Sequence, residues 1–495
     1  MTMQTASKKV ITGWAMYDWA NSVYNLVITT TFFPIYFIES TKDAFKSELI
    51  PFLGRTFVNS ALYNYSLAAA YLLISIAYPI LTSIADTRGN KKSFMQFFCY
   101  MGAAGCSLLC AFTGANLAWG ILFFILASLG YTGSLVFYNA YLPEIAAPAD
   151  QDRVSAKGYA FGYIGSVLLQ LVGFTLVLLM KDKSLALRLN FLLVGLWWAG
   201  FAQWTFSVLP KPRREKVSNV NVFSAGFAEI KKVYGEIKKM AVLKRFLRGF
   251  FFYSMGVQTV MLAATIFGSK MLGLEDAKLI AVVVVIQLVA IAGATWMSKL
   301  STRYGNFRVL MGVIALWIIV CIAAYISGGM AEPLKPYHER LDLLRQEKKA
   351  FESRRAQAAD STAVLNAIDA AEGKLEAEVS RVSLTLAPRQ APIEYIFYAM
   401  AVVVGLVMGG IQSLSRSTYS KLMPETKDTA SYFSYYDLTE KIAIVIGMFT
   451  FGFLEDLTGS MKNSALFLIV FFIIGFIWLY SARVKQRKEA ILSNS

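Results

Sequence analysis

The sequence predicts an all-α integral membrane protein: twelve transmembrane helices in two pseudo-symmetric six-helix bundles, with a helical hairpin inserted outside the membrane. Three observations carry this. Of 495 residues, 56% are hydrophobic and only 16% charged. The apolar residues fall in blocks of about twenty or more, the length a helix needs to cross a bilayer core, separated by short polar connections. Short motifs also recur at corresponding places in the two halves.

The spans fall at 11–38, 58–84, 94–113, 117–142, 154–180, 187–209, 246–270, 277–299, 308–328, 394–421, 431–455 and 463–482. The formal charge of +16 does not point to nucleic acid. Lys and Arg concentrate in alternate connections, such as Lys91-Lys92, the run KPRREK from Lys211 and the tail VKQRK, as membrane orientation requires. Both termini are therefore expected in the cytoplasm, with the protein in a bacterial cytoplasmic membrane. Met1 to Val10 is short and polar, and no cleavable signal is evident. Cys99, Cys106, Cys110 and Cys321 lie within apolar blocks and read as buried free thiols.

The repeat is visible in two places. Ser83 to Lys92, SIADTRGNKK, follows span 2, and Lys299 to Arg308, KLSTRYGNFR, follows span 8. After spans 4 and 10 come Tyr141-Leu-Pro-Glu144 and Lys421-Leu-Met-Pro-Glu425. The two matches fall into one frame if the second half carries an insertion, and Ala331 to Pro392 supplies it. The chain thus divides into 1–209, a linker 210–245, 246–330, the insert 331–392 and 393–495. In the linker Phe223, Phe227, Ile230, Tyr234, Ile237 and Ala241 form an amphipathic stripe. The insert holds ten basic and ten acidic residues and the single histidine, His338. Tyr337, Leu341, Leu344, Lys348 and Phe351 keep heptad spacing, as do Leu365, Ile368, Glu372, Leu375, Val379 and Val382 beyond an Asp360-Ser361 cap, which predicts an antiparallel hairpin, self-packed or docking a partner.

Twelve spans in two similar halves, with D-x-x-G-x-K running from Asp86 through Gly89 to Lys91, resemble the major facilitator superfamily. YDWANS at Tyr17 to Ser22, YNAYLPEIA at Tyr138 to Ala146, KGYAFGYIGS at Lys157 to Ser166 and GGIQSLSRSTYSKLMPE at Gly409 to Glu425 are similar to the branch of fungal autophagy-related vacuolar amino-acid effluxers and their uncharacterised bacterial relatives. The resemblance implies alternating access to a site between the halves near mid-membrane, and export or uptake of a small solute, amino acids among the candidates. It also implies a gating role for Asp86, facing the start of span 11, with Gly89 and Lys91 in the same loop. The chain departs from the superfamily loop at Thr82 and Thr87, and Thr302 stands where the second copy would carry its Asp.

Candidate site residues are the polar groups a lipid-facing helix would not carry, since a carboxylate at mid-membrane costs roughly 2.5–3.5 kcal/mol on insertion scales. Asp18, Asn21 and Asn25 share one face of span 1, as a proton or ammonium site or a structural anchor. Span 11 holds Asp437, Glu440 and Lys441, as an ion pair that breaks during a cycle or a static one. Arg416, beside Gln412, suits a carboxylate of solute or protein, or else reaches the cytoplasmic surface. Glu144 and Glu425, each after a proline, are caps or gate partners. Asn139, Gln170, Gln258 and Gln287 line the path or bind helices together, and Gly158 and Gly162 permit close helix contact. No phosphate loop appears, and the lone histidine lies outside the spans, so neither ATP hydrolysis, a cofactor, a histidine metal site nor an enzyme is expected. The expected function is secondary transport of a small polar solute, with protons as coupling ion. A receptor or assembly factor acting through the insert is the alternative.

Overall fold

The computed structural model describes residues 4–210, 222–357 and 362–494. The chain begins with one helical rod in three pieces: α1 (Lys8–Val23), a π-helical stretch (Tyr24–Phe32) and α2 (Phe33–Phe45). A two-stranded antiparallel hairpin follows, β1 (Leu49–Phe52) with β2 (Arg55–Val58). The sequence reading did not anticipate this small hairpin; the chain is otherwise helical among the described residues. Leu53 and Gly54 both take positive φ, 49° and 76°, the two-residue turn that suits the twist of paired strands.

Next come α3 (Asn59–Arg88), α4 (Lys91–Leu108), α5 (Leu117–Ala140), the short α6 (Leu142–Ile145), α7 (Gln151–Leu179) and α8 (Lys183–Val208). Gly89 closes α3 in the left-handed conformation, φ 61°, its N–H returning to Asp86 and the next N–H to Ala85. The linker contains α9 (Val222–Lys239). The second half comprises α10 (Ala241–Ile266), α11 (Asp276–Tyr304), α12 (Asn306–Ala331), α13 (Lys335–Gln357), α14 (Thr362–Leu422), α15 (Thr429–Thr458) and α16 (Met461–Asn494).

Among the described residues, ten helices are long and apolar enough to cross a membrane. The segments read as spans 1 and 11 are helical but fall outside that set. The π-helical stretch divides the first, and buried charges occupy the second. Helices α1 to α8 pack on one another, and so do α10 to α16. The two groups meet where α3 and α5 touch α15 and where α7 touches α11 and α14. The start of α1, the α6 corner and the start of α15 lie at one face: Ala6 N–H bonds the Ile145 carbonyl at 2.8 Å, and Lys91 joins Glu144 to Thr429. We call it the terminal face.

Helix α9 is wedged against α3 and α15 at that face. Among its described side chains Val233 and Ile237 are buried, Ile237 as the stripe predicts, while Tyr234 is half exposed. The side chains of Phe223, Phe227 and Ile230 lie outside the described ones. Helix α13 lies antiparallel to the first part of α14 through Arg340–Glu378 (2.7 Å) and Lys348–Glu376 (2.6 Å), with Leu341, Leu344 and Leu375 buried. Helix α14 then continues unbroken past residue 392. The Asp360-Ser361 cap falls outside the described residues, as do the side chains of Leu365 and Ile368.

Candidate functional site

Three polar groups connect the halves, at increasing distance from the terminal face. The first lies at that face and has two parts. At the α3–α15 contact, Asp86 accepts hydrogen bonds from the N–H groups of Ala430 (3.2 Å) and Ser431 (2.8 Å) and from the Ser431 hydroxyl (2.8 Å). A carboxylate there meets the unsatisfied donors and positive end of α15. Lys91 sits 3.2 Å from Asp86 and 2.5 Å from Glu144, and donates to Thr429 Oγ1 at 2.6 Å. At the α7–α11 contact, Asp152 accepts from Ser301 Oγ (2.6 Å) and Asn306 Nδ2 (2.8 Å) and pairs with Lys421 Nζ (2.6 Å). Sequence reasoning missed Asp152. Its signal was modest, an acidic residue in the first turn of a helix. Glu425, which follows the matching proline in the second half, is exposed.

The second group is centred on Arg416, which is only 2% exposed and so does not reach the surface. Its Nε donates to Ser155 Oγ (2.9 Å), Nη2 to the Ser155 carbonyl (2.8 Å), and Nη1 to Asp18 Oδ2 (3.3 Å) and Asn139 Oδ1 (3.2 Å). Asp18 Oδ2 also accepts the Tyr138 hydroxyl at 2.7 Å. Aromatic rings sheathe the guanidinium: Tyr159 at 4.3 Å, Trp14 at 5.0 Å and Tyr138 at 5.5 Å. Arginine suits such a site because its planar fork holds several acceptors at once while its flat face stacks on rings. Asp18, Asn139 and Ser155 come from the first half and Arg416 from the second. The absent side chain at Gly158 makes room for them, since a Cβ there would stand 2.5 Å from Asp18 Oδ2 and 2.9 Å from Arg416 Nη2. The Gly158-Gly162 spacing therefore serves an ion pair as well as a helix contact.

The expected face of Asp18, Asn21 and Asn25 is only partly assembled. Asn21 is buried, with its Nδ2 unpartnered among the described residues, and Asn25 is half-buried. Asp18 is joined instead to Tyr138 and Arg416, partners distant in sequence.

The third group lies deeper, on α15. Lys441 Nζ stands 3.7 Å from both Asp437 Oδ1 and Glu440 Oε2, and 5.3 Å above the Tyr71 ring. Tyr78 donates to Asp437 Oδ2 at 2.5 Å, and Gln258 to Glu440 Oε1 at 2.9 Å. Farther along, Tyr163 donates to Gln412 at 3.0 Å, and Gln287 to Gln170 at 3.0 Å, both across the halves. The tyrosines of these groups were not singled out in the sequence, because nothing in the apolar runs distinguishes them from core aromatics.

Comparison with known proteins gives a consistent result. A family profile described as "Vacuole effluxer Atg22 like" matches residues 6–151, 146–340 and 384–491. An uncharacterized MFS-type transporter, YxiO of Bacillus subtilis (strain 168), is 26% identical over 475 residues, covering 94% of this chain and 93% of that one. Autophagy-related protein 22-1 of Penicillium rubens is 21% identical over 571 residues, covering 94% and 88%. Among solved structures, the E. coli fucose:proton symporter FucP superposes with a TM-score of 0.60 at 12% identity, over 96% of this chain and 97% of that one. The proton:xylose symporter XylE superposes with 0.59 at 12%, over 96% and 95%. The fold is that of the major facilitator superfamily, and the chain belongs to the Atg22-like vacuole effluxer family.

Proposed function

We propose that this protein is a secondary transporter that moves a small polar solute by alternating access. One observation carries the reading: a buried ion pair, Asp18–Arg416, whose acid and base come from different halves. A helix bundle needs no such pair for stability, since a buried salt bridge gains little net energy over apolar packing. A carrier whose halves rock apart has a use for a contact that can be broken and remade. In this reading α1–α2 and α15 join the ten apolar helices as spans, giving two six-helix halves. The terminal face is cytoplasmic, as the basic connections suggest. The α13–α14 hairpin stands on the opposite side.

The roles divide by depth. Asp86, Gly89, Lys91 and Glu144 close the cytoplasmic face. Asp18, Asn21, Asn25, Asn139, Gln412 and Arg416 bind the solute or hold its place when empty. Asp437, Glu440 and Lys441 exchange the coupling proton. The resemblance to vacuolar amino-acid effluxers favours amino acids as solute, and the fucose:proton and proton:xylose symporters of the same fold favour protons as driving ion. The test is accumulation of labelled amino acids in proteoliposomes under an imposed pH gradient. Accumulation that collapses with the gradient and is lost in Asp18→Asn supports the reading. Full activity in Asp18→Asn with unchanged pH dependence contradicts the assignment of that residue.

A further inference from the structure

The two contacts that close the terminal face are related by the internal repeat, yet their chemistry is exchanged. In the first, the acid (Asp86) stands three residues before the Gly-Asn turn at Gly89-Asn90, and the hydroxyl (Ser431) stands at the start of the facing helix. In the second, a hydroxyl (Ser301) stands four residues before Gly305-Asn306, and the acid (Asp152) is the second residue of the facing helix, α7. Thr302, at the place equivalent to Asp86, is exposed and turns its hydroxyl back to the Lys299 carbonyl at 2.7 Å. The missing Asp of the second copy has therefore not left a gap. Its carboxylate has moved across the interface.

The exchange also alters where the charges sit. In the first latch both ion pairs, Asp86–Lys91 and Lys91–Glu144, lie within the first half and reach the other by hydrogen bonds to Lys427, Thr429, Ala430 and Ser431. In the second, Asp152 belongs to one half and Lys421 to the other, 2.6 Å apart, and Asp152 is about as buried as a side chain can be, 1% exposed. Opening the face leaves the first latch's ion pairs whole. It must split the second's and leave both charges to find water. We infer that Asp152 is a positioning residue for the transport cycle, the acid of a reversed second latch whose ion pair with Lys421 sets how readily the terminal face opens. This rests on the alternating-access reading above.

The arrangement allows a direct exchange test. Ser301 Oγ and Lys421 Nζ are each 2.6 Å from the same oxygen, Asp152 Oδ2, so an acid placed at 301 still has Lys421 at hand. Spin labels at Ala149→Cys and Arg303→Cys, both exposed and on opposite halves, report opening in full-length protein in nanodiscs; Cys110, the one native cysteine not buried, is replaced by Ser. Ser301→Asp alone sets acid against acid and is expected to raise the wide-distance population about five-fold, the low end of coupling effects between linked states. Asp152→Ser combined with Ser301→Asp is expected to restore the closed distance. Thr302→Asp, one residue away and exposed, is expected to change nothing. A double exchange as open as Ser301→Asp alone, or no opening in Ser301→Asp, overturns the proposal. Should the double exchange not fold, Lys421→Gln serves in its place: opening supports the latch, and an unchanged distance overturns it. Distances that behave as expected in a protein that moves no solute would sink the transporter reading and leave the latch standing. Failed distances with intact transport would do the reverse.

Discussion

Two clusters of charge lie where the halves of this molecule meet, and they are built differently. Asp18 and Arg416 join the two halves, and the arginine is enclosed by Trp14, Tyr138 and Tyr159 with every arm of its fork engaged. Asp437, Glu440 and Lys441 lie on a single helix, at 3.7 Å separations too long for direct hydrogen bonds, and α3 meets them through Tyr71 and Tyr78. The first is a tight contact that motion between halves must break. The second is a loose one in which a carboxylate can change protonation while both halves stay in place. Glu440 is the more accessible of its two acids, with 22% of its side chain exposed against 5% for Asp437.

Substitutions should separate these roles. The largest effect is expected from Arg416→Gln, which strands the Asp18 carboxylate. Stability should fall by about 3–5 kcal/mol, read by denaturation in detergent, and solute exchange in proteoliposomes should be lost. Gly158→Ala intrudes on both partners at once and should cost about 1–3 kcal/mol with a clear loss of exchange. Glu440→Gln keeps a side chain able to bond Gln258, so stability should hardly move. It should abolish accumulation driven by a pH gradient while leaving downhill exchange, and equal loss of both would place Glu440 with Arg416 instead. Tyr78→Phe removes one hydrogen bond to Asp437 and should cost about 1 kcal/mol, with a shifted pH profile of transport. Glu425→Gln, exposed, should be silent in every assay.

What could be read from the sequence followed from patterns that are local in the chain. Apolar blocks placed the helices, and a charge in an apolar block marked Asp18, Arg416, Asp437, Glu440 and Lys441 as residues needing protein around them. The D-x-x-G-x-K loop led to Asp86, which bonds the start of α15, the helix the resemblance set opposite it. Partners separated by hundreds of residues were not legible. Nothing in the local sequence couples Asp152 to Ser301 and Lys421, or Tyr138 to Asp18, because those contacts arise only when α7 meets α11 and α14 and when α5 meets α1. Symmetry of motif did not carry over into symmetry of contact: Glu144 meets Lys91 and Thr429, while Glu425 is exposed.

The most direct test of the account is a double-mutant cycle on solute exchange, comparing the unmodified protein, Asp18→Asn, Arg416→Gln and the two together. If the pair acts as one contact between the halves, the double variant should be far less impaired than the product of the single losses, an interaction energy of about 1–3 kcal/mol. Losses that simply multiply would mean that Asp18 and Arg416 serve separate purposes, and the bridging contact would no longer explain transport.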